Sequence, residues 1–468
     1  ADWRSHDGQS RLFDQAKAES IATKVQGQIG SVVEAKKDLK SEPAPLAYDL
    51  TELQRDANRR YGFSAQRTLS VLQDLYEVHK LVTYPRTDSR YISHDIVPTL
   101  PARLKAMGVG PYADLVRPLI GKPLSTTKRF VDDSRVSDHH AIIPTEQPLR
   151  IAELKADERN LYDLIARRFI AVLYPPFRYE QITLVTEIAG ERFYARGKIV
   201  RDDGWRAVTA RSAERDEGRD EDLPEQTLST INRGERRVAK TCKTSRAKTK
   251  PPARYTEATL LTAMENPGKF IEDEELREAV KQGGLGTPAT RAEIIEKIIG
   301  TFYVERQGKE LAPTSKGMQL IDLVASELRS PELTAQWEQQ LSEIAKGKGS
   351  RARFMAEIRQ HAAKLVQSVV SDTATYHPDN VTKTKCPACG KYMLLVKGKR
   401  GKMLVCPDRV CGYRQPEREE TGVFKSSRKD QRVNQRLIAE YSDQGSIGTN
   451  LGDLLKAALE KSTDQKKQ

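Results

Sequence analysis

Apolar residues recur at helical intervals along most of the first 175 residues. This spacing predicts helices within residues 10–26, from Thr51 to about Leu81, and over residues 158–174. Ser64 precedes the second half of the 51–81 stretch and is a predicted N-cap, because its hydroxyl can accept a hydrogen bond from the first helical turn. The last of these helices is expected to end at the two prolines that follow it, since proline disrupts helical hydrogen bonding.

The period of the pattern then changes. Residues 179–188 and 191–200 alternate polar residues with β-branched or aromatic ones, which predicts two strands joined as a hairpin at Ala189-Gly190. Helical spacing returns over residues 256–300, interrupted by a glycine-rich stretch, and over residues 315–370. The pattern as a whole predicts a multidomain α+β protein.

The length and charge of the chain indicate how many structural units it has and which kind of partner it binds. At 468 residues the chain exceeds what one hydrophobic core usually organises, so three or more structural units are expected. Lys and Arg number 78 against 65 Asp and Glu, a formal net charge of +13. This surplus favours nucleic acid over an anionic membrane surface, because phosphates bound by Lys and Arg release condensed counterions. No apolar run is long enough to span a membrane, so no membrane contact and a cytoplasmic location are expected.

Candidate catalytic residues are concentrated in the segment LVTYPRTDSRYIS, residues 81–93. Tyr84 stands just after a predicted helix and is followed by Arg86, Asp88 and Arg90. A phenol is a weak nucleophile near neutral pH because it is mostly protonated. Neighbouring guanidinium groups would favour the phenolate and hold a phosphate oxygen, which attack on a phosphodiester requires.

The segment YPRTDS resembles the nucleophile motif of type IA DNA topoisomerases, in particular the topoisomerase III-like members. The resemblance implies that Tyr84 attacks one strand of DNA and becomes joined to the 5′-phosphate at the break, while Arg86 clamps the phosphate. It also implies strand passage and religation without ATP, and the sequence contains no P-loop. Asp88 and Arg90 are assigned to DNA binding.

A second motif of that family follows in the expected order. VSDHHAIIPT, residues 136–145, is similar to the family's HxAIxPT segment and puts His139 in the place of the active-site histidine. That residue is expected to hydrogen-bond the scissile phosphate or to tune the tyrosine, and His140 is assigned to DNA binding beside it. Without the family, the histidine pair and Asp138 would suggest a partial metal site whose third ligand is not evident.

Two further segments match the family in order and are assigned to a groove for single-stranded DNA. PPARYTEATLLTAME, residues 251–265, contributes Arg254 and Glu257, for each of which a structural role is left open.

The segment GGLGTPATRAEII, residues 283–295, predicts a glycine-rich loop followed by the start of a helix. Its backbone N–H groups, with Thr287, Thr290 and Arg291, could bind phosphates of a single strand; a plain helix connection is the alternative. Residues 302–317 resemble the family's wing-like hairpin and the helix after it.

The cysteines favour a metal site over disulfides. Cys386, Cys389, Cys406 and Cys411 form C-x2-C-x16-C-x4-C, which suits two knuckles sharing a structural Zn²⁺. The long last gap leaves open a looser knuckle or a site degenerate for zinc. The basic stretch between the two pairs, with its interleaved apolar and aromatic residues, is suited to contact single-stranded DNA.

The resemblance implies an open ring of helical domains joined by a β-rich arch, with a zinc-ribbon-like module at the C-terminal side. The expected divisions are an arch from 1–45 and 173–248, a helical domain with the nucleophile at 46–172, a helical groove domain at 249–370, the ribbon at 380–415, and a helical tail at 416–468 whose end is disordered.

The sequence shows no counterpart of the family's TOPRIM domain, whose acidic residues bind Mg²⁺. Magnesium is therefore expected for the intact enzyme with ligands outside this chain. The alternative function is a truncated, non-catalytic module that binds single-stranded DNA. A metal-dependent nuclease is disfavoured, because no carboxylate cluster accompanies the histidines. No motif indicates whether a helicase partner exists.

Overall fold

The structure is a computed structural model that describes residues 1–124, 126–209, 231–280, 284–371, 380–398, 401–408 and 410–417. The predicted tail lies outside these residues, apart from its first two positions. The chain divides into two compact units. One consists of Ala1–Lys269 and Val280–Ile295, and the other of Phe270–Ala279 and the residues from Glu296 onward. Within the described ranges, no helix combines the length and the apolar composition that crossing a bilayer requires.

Both units contain helices and strands, which confirms the predicted α+β class. The helices are α1 (Gln15–Val25), α2 (Leu50–Tyr61), α3 (Ala65–Glu77), α4 (Leu100–Met107), α5 (Ala113–Val116), α6 (Ala156–Leu173), α7 (Arg206–Thr209), α8 (Glu257–Glu265), α9 (Glu274–Ala279), α10 (Pro288–Gly300), α11 (Ser315–Leu323), α12 (Glu332–Ala345) and α13 (Arg351–Ser371). The strands are β1 (Asp2–Arg4), β2 (Ile29–Glu42), β3 (Phe177–Ile188), β4 (Glu191–Asp202), β5 (Arg236–Val238), β6 (Val304–Gln307), β7 (Glu310–Pro313), β8 (Val381–Lys385), β9 (Tyr392–Gly398), β10 (Gly401–Val405) and β11 (Arg414–Pro416).

The first unit contains a five-stranded antiparallel sheet in the order β1-β4-β3-β2-β5. Its strands come from both stretches that the sequence assigns to one arch. The predicted hairpin is present, and Ala189 and Gly190 form its turn with φ of 50° and 80°. Two successive positive φ values match the twist of the flanking strands, which is why a two-residue turn fits here. Val32 of β2 and Ile182 and Leu184 of β3 form a small apolar cluster within the sheet.

The main core of the first unit is helical. It joins α2, α3 and α6 through fully buried residues such as Leu53, Leu72 and Ile165. Ser64 caps α3 as predicted, since its Oγ accepts the Arg67 N–H at 3.0 Å. This core fixes the end of α3, and the loop with Tyr84 follows directly from that end.

The second unit holds α9, α11 to α13, a two-stranded hairpin and a four-stranded sheet. The hairpin pairs β6 with β7 and leads into α11, as the resemblance to a wing-like hairpin predicts. The four-stranded sheet has the order β11-β10-β9-β8 and surrounds a small core formed by Cys386, Met393, Leu404 and Cys406.

Candidate active site and metal centre

Helix α3 ends earlier than the sequence pattern suggests, and this decides how the Tyr84 loop begins. The helix stops at Glu77, not near Leu81, because Lys80 adopts a left-handed conformation with φ of 57°. The Leu81 N–H donates back to the Leu75 carbonyl at 2.9 Å, and Thr145 Oγ1 donates to the Lys80 carbonyl at 2.6 Å. The turn therefore aims the following residues towards the segment with the two histidines.

Threonine side chains tie the tyrosine motif to the histidine motif. Thr83 Oγ1 donates to the Ala141 carbonyl at 2.9 Å and accepts the Ile143 N–H at 3.0 Å. Thr87, which is 2% exposed, donates to the His139 carbonyl at 3.0 Å. Since partly buried hydrogen bonds of this kind are costly to break, they hold the two segments in a fixed register, although Tyr84 and His139 are 55 positions apart.

The two motifs meet at their aromatic side chains. The rings of Tyr84 and His139 are stacked, with centroids 4.0 Å apart and an angle of 29° between their planes. On another side, Tyr76 of α3 meets Tyr84 edge-on, with centroids 5.8 Å apart and planes at 89°. Such stacked and edge contacts restrict the orientation of the Tyr84 ring.

A cavity of about 440 Å³ lies beside these rings. It is lined by Tyr84, Ser93, Asp95, Asp133, Val136, Ser137, Asp138, His139 and His140. The lining is mostly polar and combines a phenol, two imidazoles and three carboxyl groups. It therefore offers both donors and acceptors of protons around the phenolic side chain.

The surroundings of His140 favour the neutral form of its ring. Burial lowers its pKa below the ordinary value, and the nearby Arg103 lowers it further, against an opposing hydrogen bond to the Ala141 carbonyl. The ring Nδ1 lies 2.8 Å from that carbonyl oxygen. Because a carbonyl can only accept, Nδ1 carries the proton and Nε2 is left as an acceptor.

The charged residues after Tyr84 do not gather around its ring. Arg86 and Asp88 are exposed, and neither lines the cavity. Arg90 turns away from solvent: its Nε donates to the Ala47 carbonyl at 3.1 Å and lies 3.9 Å from an oxygen of Asp49. The Leu50 N–H, at the start of α2, also donates to the Thr87 carbonyl of the tyrosine motif. Together these contacts hold the start of α2 against that motif, so they give Arg90 a structural function.

In the first predicted groove segment, the two assigned residues differ in setting. Arg254 is exposed. Glu257 is 4% exposed, and its Oε2 accepts the Ala65 N–H at 2.8 Å. A carboxylate at this position satisfies a free N–H of α3 and interacts favourably with the helix dipole. Of the two roles left open for Glu257, the contacts favour the structural one.

The second predicted groove segment, residues 283–295, includes the start of α10. Thr287 and Thr290 bind each other: the Thr287 N–H donates to Thr290 Oγ1 at 2.9 Å, and the two hydroxyls lie 3.0 Å apart. Both threonines are exposed, whereas Arg291 is 3% exposed and donates to Thr51 Oγ1 at 3.0 Å. Gly284 has φ of +69°, and a Cβ there would lie 2.5 Å from the Met264 carbonyl oxygen, so this turn requires glycine.

The four clustered cysteines come together in space. Their sulfur atoms all lie within 4.8 Å of one another, with Cys386 to Cys411 at 3.6 Å and Cys389 to Cys406 at 3.4 Å. Four thiolates around a tetrahedral Zn²⁺ at about 2.3 Å would be about 3.8 Å apart, so the donor set fits that ion. Backbone N–H groups of Ala388 and Cys389 point to the Cys386 sulfur, which helps to fix its orientation.

Among the residues that the structure describes, the cysteines are the only group of three or more possible ligands. The partial metal site considered for Asp138, His139 and His140 is therefore not formed, since their ligand atoms do not come together with one another or with a further described ligand as such a group. The same holds for Mg²⁺: no set of carboxylates suited to it occurs in these ranges, so no step is assigned to magnesium.

Sequence reasoning missed several residues of this site. Thr83 and Thr87 stand inside the motif string, and hydroxyl residues beside a motif are a usable signal for such buried hydrogen bonds. Tyr76 looks like an ordinary position of α3, and Asp95 and Asp133 are two of many acidic residues. No local signal distinguishes these three.

The comparisons with known proteins agree with the geometry. The family model for DNA topoisomerase matches residues 3–356. DNA topoisomerase 3 of Bacillus licheniformis is 51% identical over 418 residues, which cover 89% of this chain and 57% of the relative, and that of Bacillus subtilis is 50% identical over the same shares. Full-length topoisomerase I from Thermotoga maritima shares 25% identity with a TM-score of 0.55, over 88% of this chain and 63% of that one.

The chain thus spans a little over half the length of the curated relatives it matches. The matched family region includes both the tyrosine and the histidine motifs, as well as the two predicted groove segments. The chain therefore belongs to the type IA family of DNA topoisomerases, among its topoisomerase III-like members.

Proposed function

We propose that this chain is the strand-cleaving part of an ATP-independent topoisomerase III-like enzyme, with Tyr84 as its nucleophile. The observation that carries this proposal is the stack of Tyr84 on His139, which the threonine hydrogen bonds hold in register. A fixed ring beside a polar cavity supports this proposal, because in-line attack on a phosphate depends on holding the attacking oxygen in a defined orientation.

The reaction has two halves. The Tyr84 oxygen forms a bond to phosphorus, the bond between phosphorus and the 3′-oxygen breaks, and the proton lost by the phenol is balanced by one gained at the 3′-oxygen. Religation reverses both bond changes. His139, stacked on the phenol, hydrogen-bonds the phosphate, and the exposed Arg86 clamps it. His140 lines the same cavity and is neutral, so its Nε2 can accept a proton or a hydrogen bond there.

Single-stranded DNA is the proposed substrate, with Asp88, Arg254, Thr287 and Thr290 along its path. The four cysteines hold a structural Zn²⁺ that fixes the ribbon formed by β8 to β11. Magnesium and a cytoplasmic, nucleoid-associated location stay predictions, and whether a helicase partner exists stays open. The division into six segments also stays a prediction.

The test is a labelled single-stranded oligonucleotide incubated with the chain and Mg²⁺, with and without a TOPRIM domain of a type IA relative added in trans, and analysed on a denaturing gel. We expect a protein-linked DNA band that Tyr84→Phe abolishes and that the matched variant Tyr91→Phe retains. If the oligonucleotide binds but no band forms in either condition, the proposal fails and the non-catalytic binding module replaces it.

A further inference from the structure

The stretch between β5 and α8 is unusual in its charge. Residues 236–256 contain no Asp or Glu, and Glu235 and Glu257 are the acidic residues that flank it. Within it, a part here called the basic segment, Lys240–Lys250, has five cations: Lys240, Lys243, Arg246, Lys248 and Lys250. All five are exposed, and no described carboxylate forms an ion pair with any of them. Within the described ranges, these five charges therefore have no ion-pair partner.

The basic segment is anchored at its start, although it forms neither helix nor strand. At its start, the Ala239 N–H donates to the Gln28 carbonyl at 2.9 Å, and the Cys242 N–H donates to Gln26 Oε1 at 3.2 Å. Beyond its end, Thr256 caps α8 by accepting the Thr259 N–H. A segment anchored in this way loses less conformational freedom on binding than a free tail would.

We propose that the basic segment binds the phosphodiester backbone of single-stranded DNA, as a contact surface separate from the Tyr84 cavity. None of its residues lines that cavity. The proposal rests on the proposed function only in taking DNA as the partner.

The residues between the cations favour a nucleic acid over a membrane or a protein. They are threonine, serine, alanine and one cysteine, without a large apolar side chain. A segment that inserts into a membrane uses such side chains to enter the acyl region, and a protein interface usually has aromatic or aliphatic anchors. Closely spaced cations separated by small polar residues provide charge without anchors, which suits a chain of phosphates.

The experiment compares salt dependence. The variant K240Q/K243Q/R246Q/K248Q/K250Q and the unsubstituted chain are titrated with a fluorescent oligothymidylate over a range of salt concentrations. Each phosphate contact contributes about 0.7 to the slope of log K against log salt, so losing five contacts would reduce that slope by about 3.5. A reduction of about 1.4 or more, equal to two contacts, supports the proposal, and a smaller change overturns it.

Two controls separate local binding from general effects. The variant R11Q/K17Q/K24Q/K37Q/K40Q removes the same charge from exposed positions within residues 1–45, outside the predicted groove domain, and should change the slope by less. The variant T241Q/T244Q/S245Q/T249Q alters the basic segment without changing its charge and should leave the slope unaltered. An equal loss in the first control would overturn the proposal.

Folding and function are checked independently. Thermal melting should show that the five-residue variant is folded, and R246Q/K248Q/K250Q replaces it if it is not. The formation of the Tyr84 adduct is a separate measurement, so its absence would overturn the proposed enzyme without affecting the result for the basic segment.

Discussion

The ring of Tyr84 lies stacked on the ring of His139, 4.0 Å between centroids, although the two residues belong to loops far apart in the sequence. The stack brings an imidazole against a phenol without a helix or strand at either residue. Its geometry depends on the hydrogen bonds of Thr83 and Thr87, which join the two loops. The chemistry of the site therefore depends on two threonine hydroxyl groups in partly buried hydrogen bonds as well as on the reacting side chains.

The function of His139 can be separated from its packing. His139→Phe keeps a stacked ring but removes the N–H groups, so we expect adduct formation to slow by about 100-fold, as for loss of one acid–base or hydrogen-bonding group. The melting temperature should change little because His139 is exposed. The rate of adduct formation by quenched gel assay is the measurement, with His6→Phe as control. A His139→Phe rate equal to that of the unsubstituted chain would show that the ring only packs.

Backbone strain at Lys80 predicts an effect on stability. A residue with a Cβ at φ of 57° costs about 1–2 kcal/mol relative to the right-handed region, whereas glycine has no such cost. Since glycine also gains freedom in the unfolded chain, Lys80→Gly should raise the free energy of unfolding by up to about 1 kcal/mol. Lys80→Ala keeps the strain and is the control. Denaturant titration checks both, and stabilisation by alanine but not glycine would contradict the account.

Asp49 predicts a dependence of stability on pH. Burial raises the pKa of this carboxyl from 3.8 to about 6, against opposing contributions from the Glu52 N–H and Arg90. The folded protein therefore binds this proton more tightly than the unfolded chain. Protonated Asp49 therefore stabilises the folded state. This contribution is complete below about pH 4 and is lost as the pH rises through about 6.

The variant Asp49→Asn retains an acceptor for the Glu52 N–H but cannot ionise. Between pH 4 and pH 8 its unfolding free energy should improve relative to the parent by about 3 kcal/mol, the equivalent of the difference between the two pKa values. Urea titrations at both pH values measure this change. The exposed Asp7→Asn should show no comparable change, and a constant difference for Asp49→Asn would refute the assignment.

The cysteine cluster predicts a metal content. The chain purified with zinc should contain about one Zn²⁺, and Cys406→Ser should lose it, because three thiolates bind the ion much more weakly than four. Cys242→Ser, outside the cluster, should keep it. Elemental analysis gives the stoichiometry, and limited proteolysis should show cleavage between residues 380 and 417 only when the metal is lost. Full zinc content in Cys406→Ser would rule out this ligand set.

Much of the local structure follows from the sequence. The cap at Ser64, the hairpin turn at Ala189-Gly190 and the hairpin before α11 depend on residues within a few positions of one another, and each is present. The end of α3 is different. The pattern continues to Leu81, but hydrogen bonds from Thr145 and to Leu75 favour a left-handed Lys80 and end the helix at Glu77.

The sequence by itself determined which residue types are present in which motifs: the tyrosine with its arginines, the histidine pair, and the four cysteines at metal-binding spacing. It determined this because motif identity is local. Only the tertiary structure decided what these side chains touch. It put His139 on Tyr84, turned Arg90 towards Asp49, and used Glu257 to cap α3, since these contacts join residues 41 to 192 positions apart and depend on how the helices and loops pack.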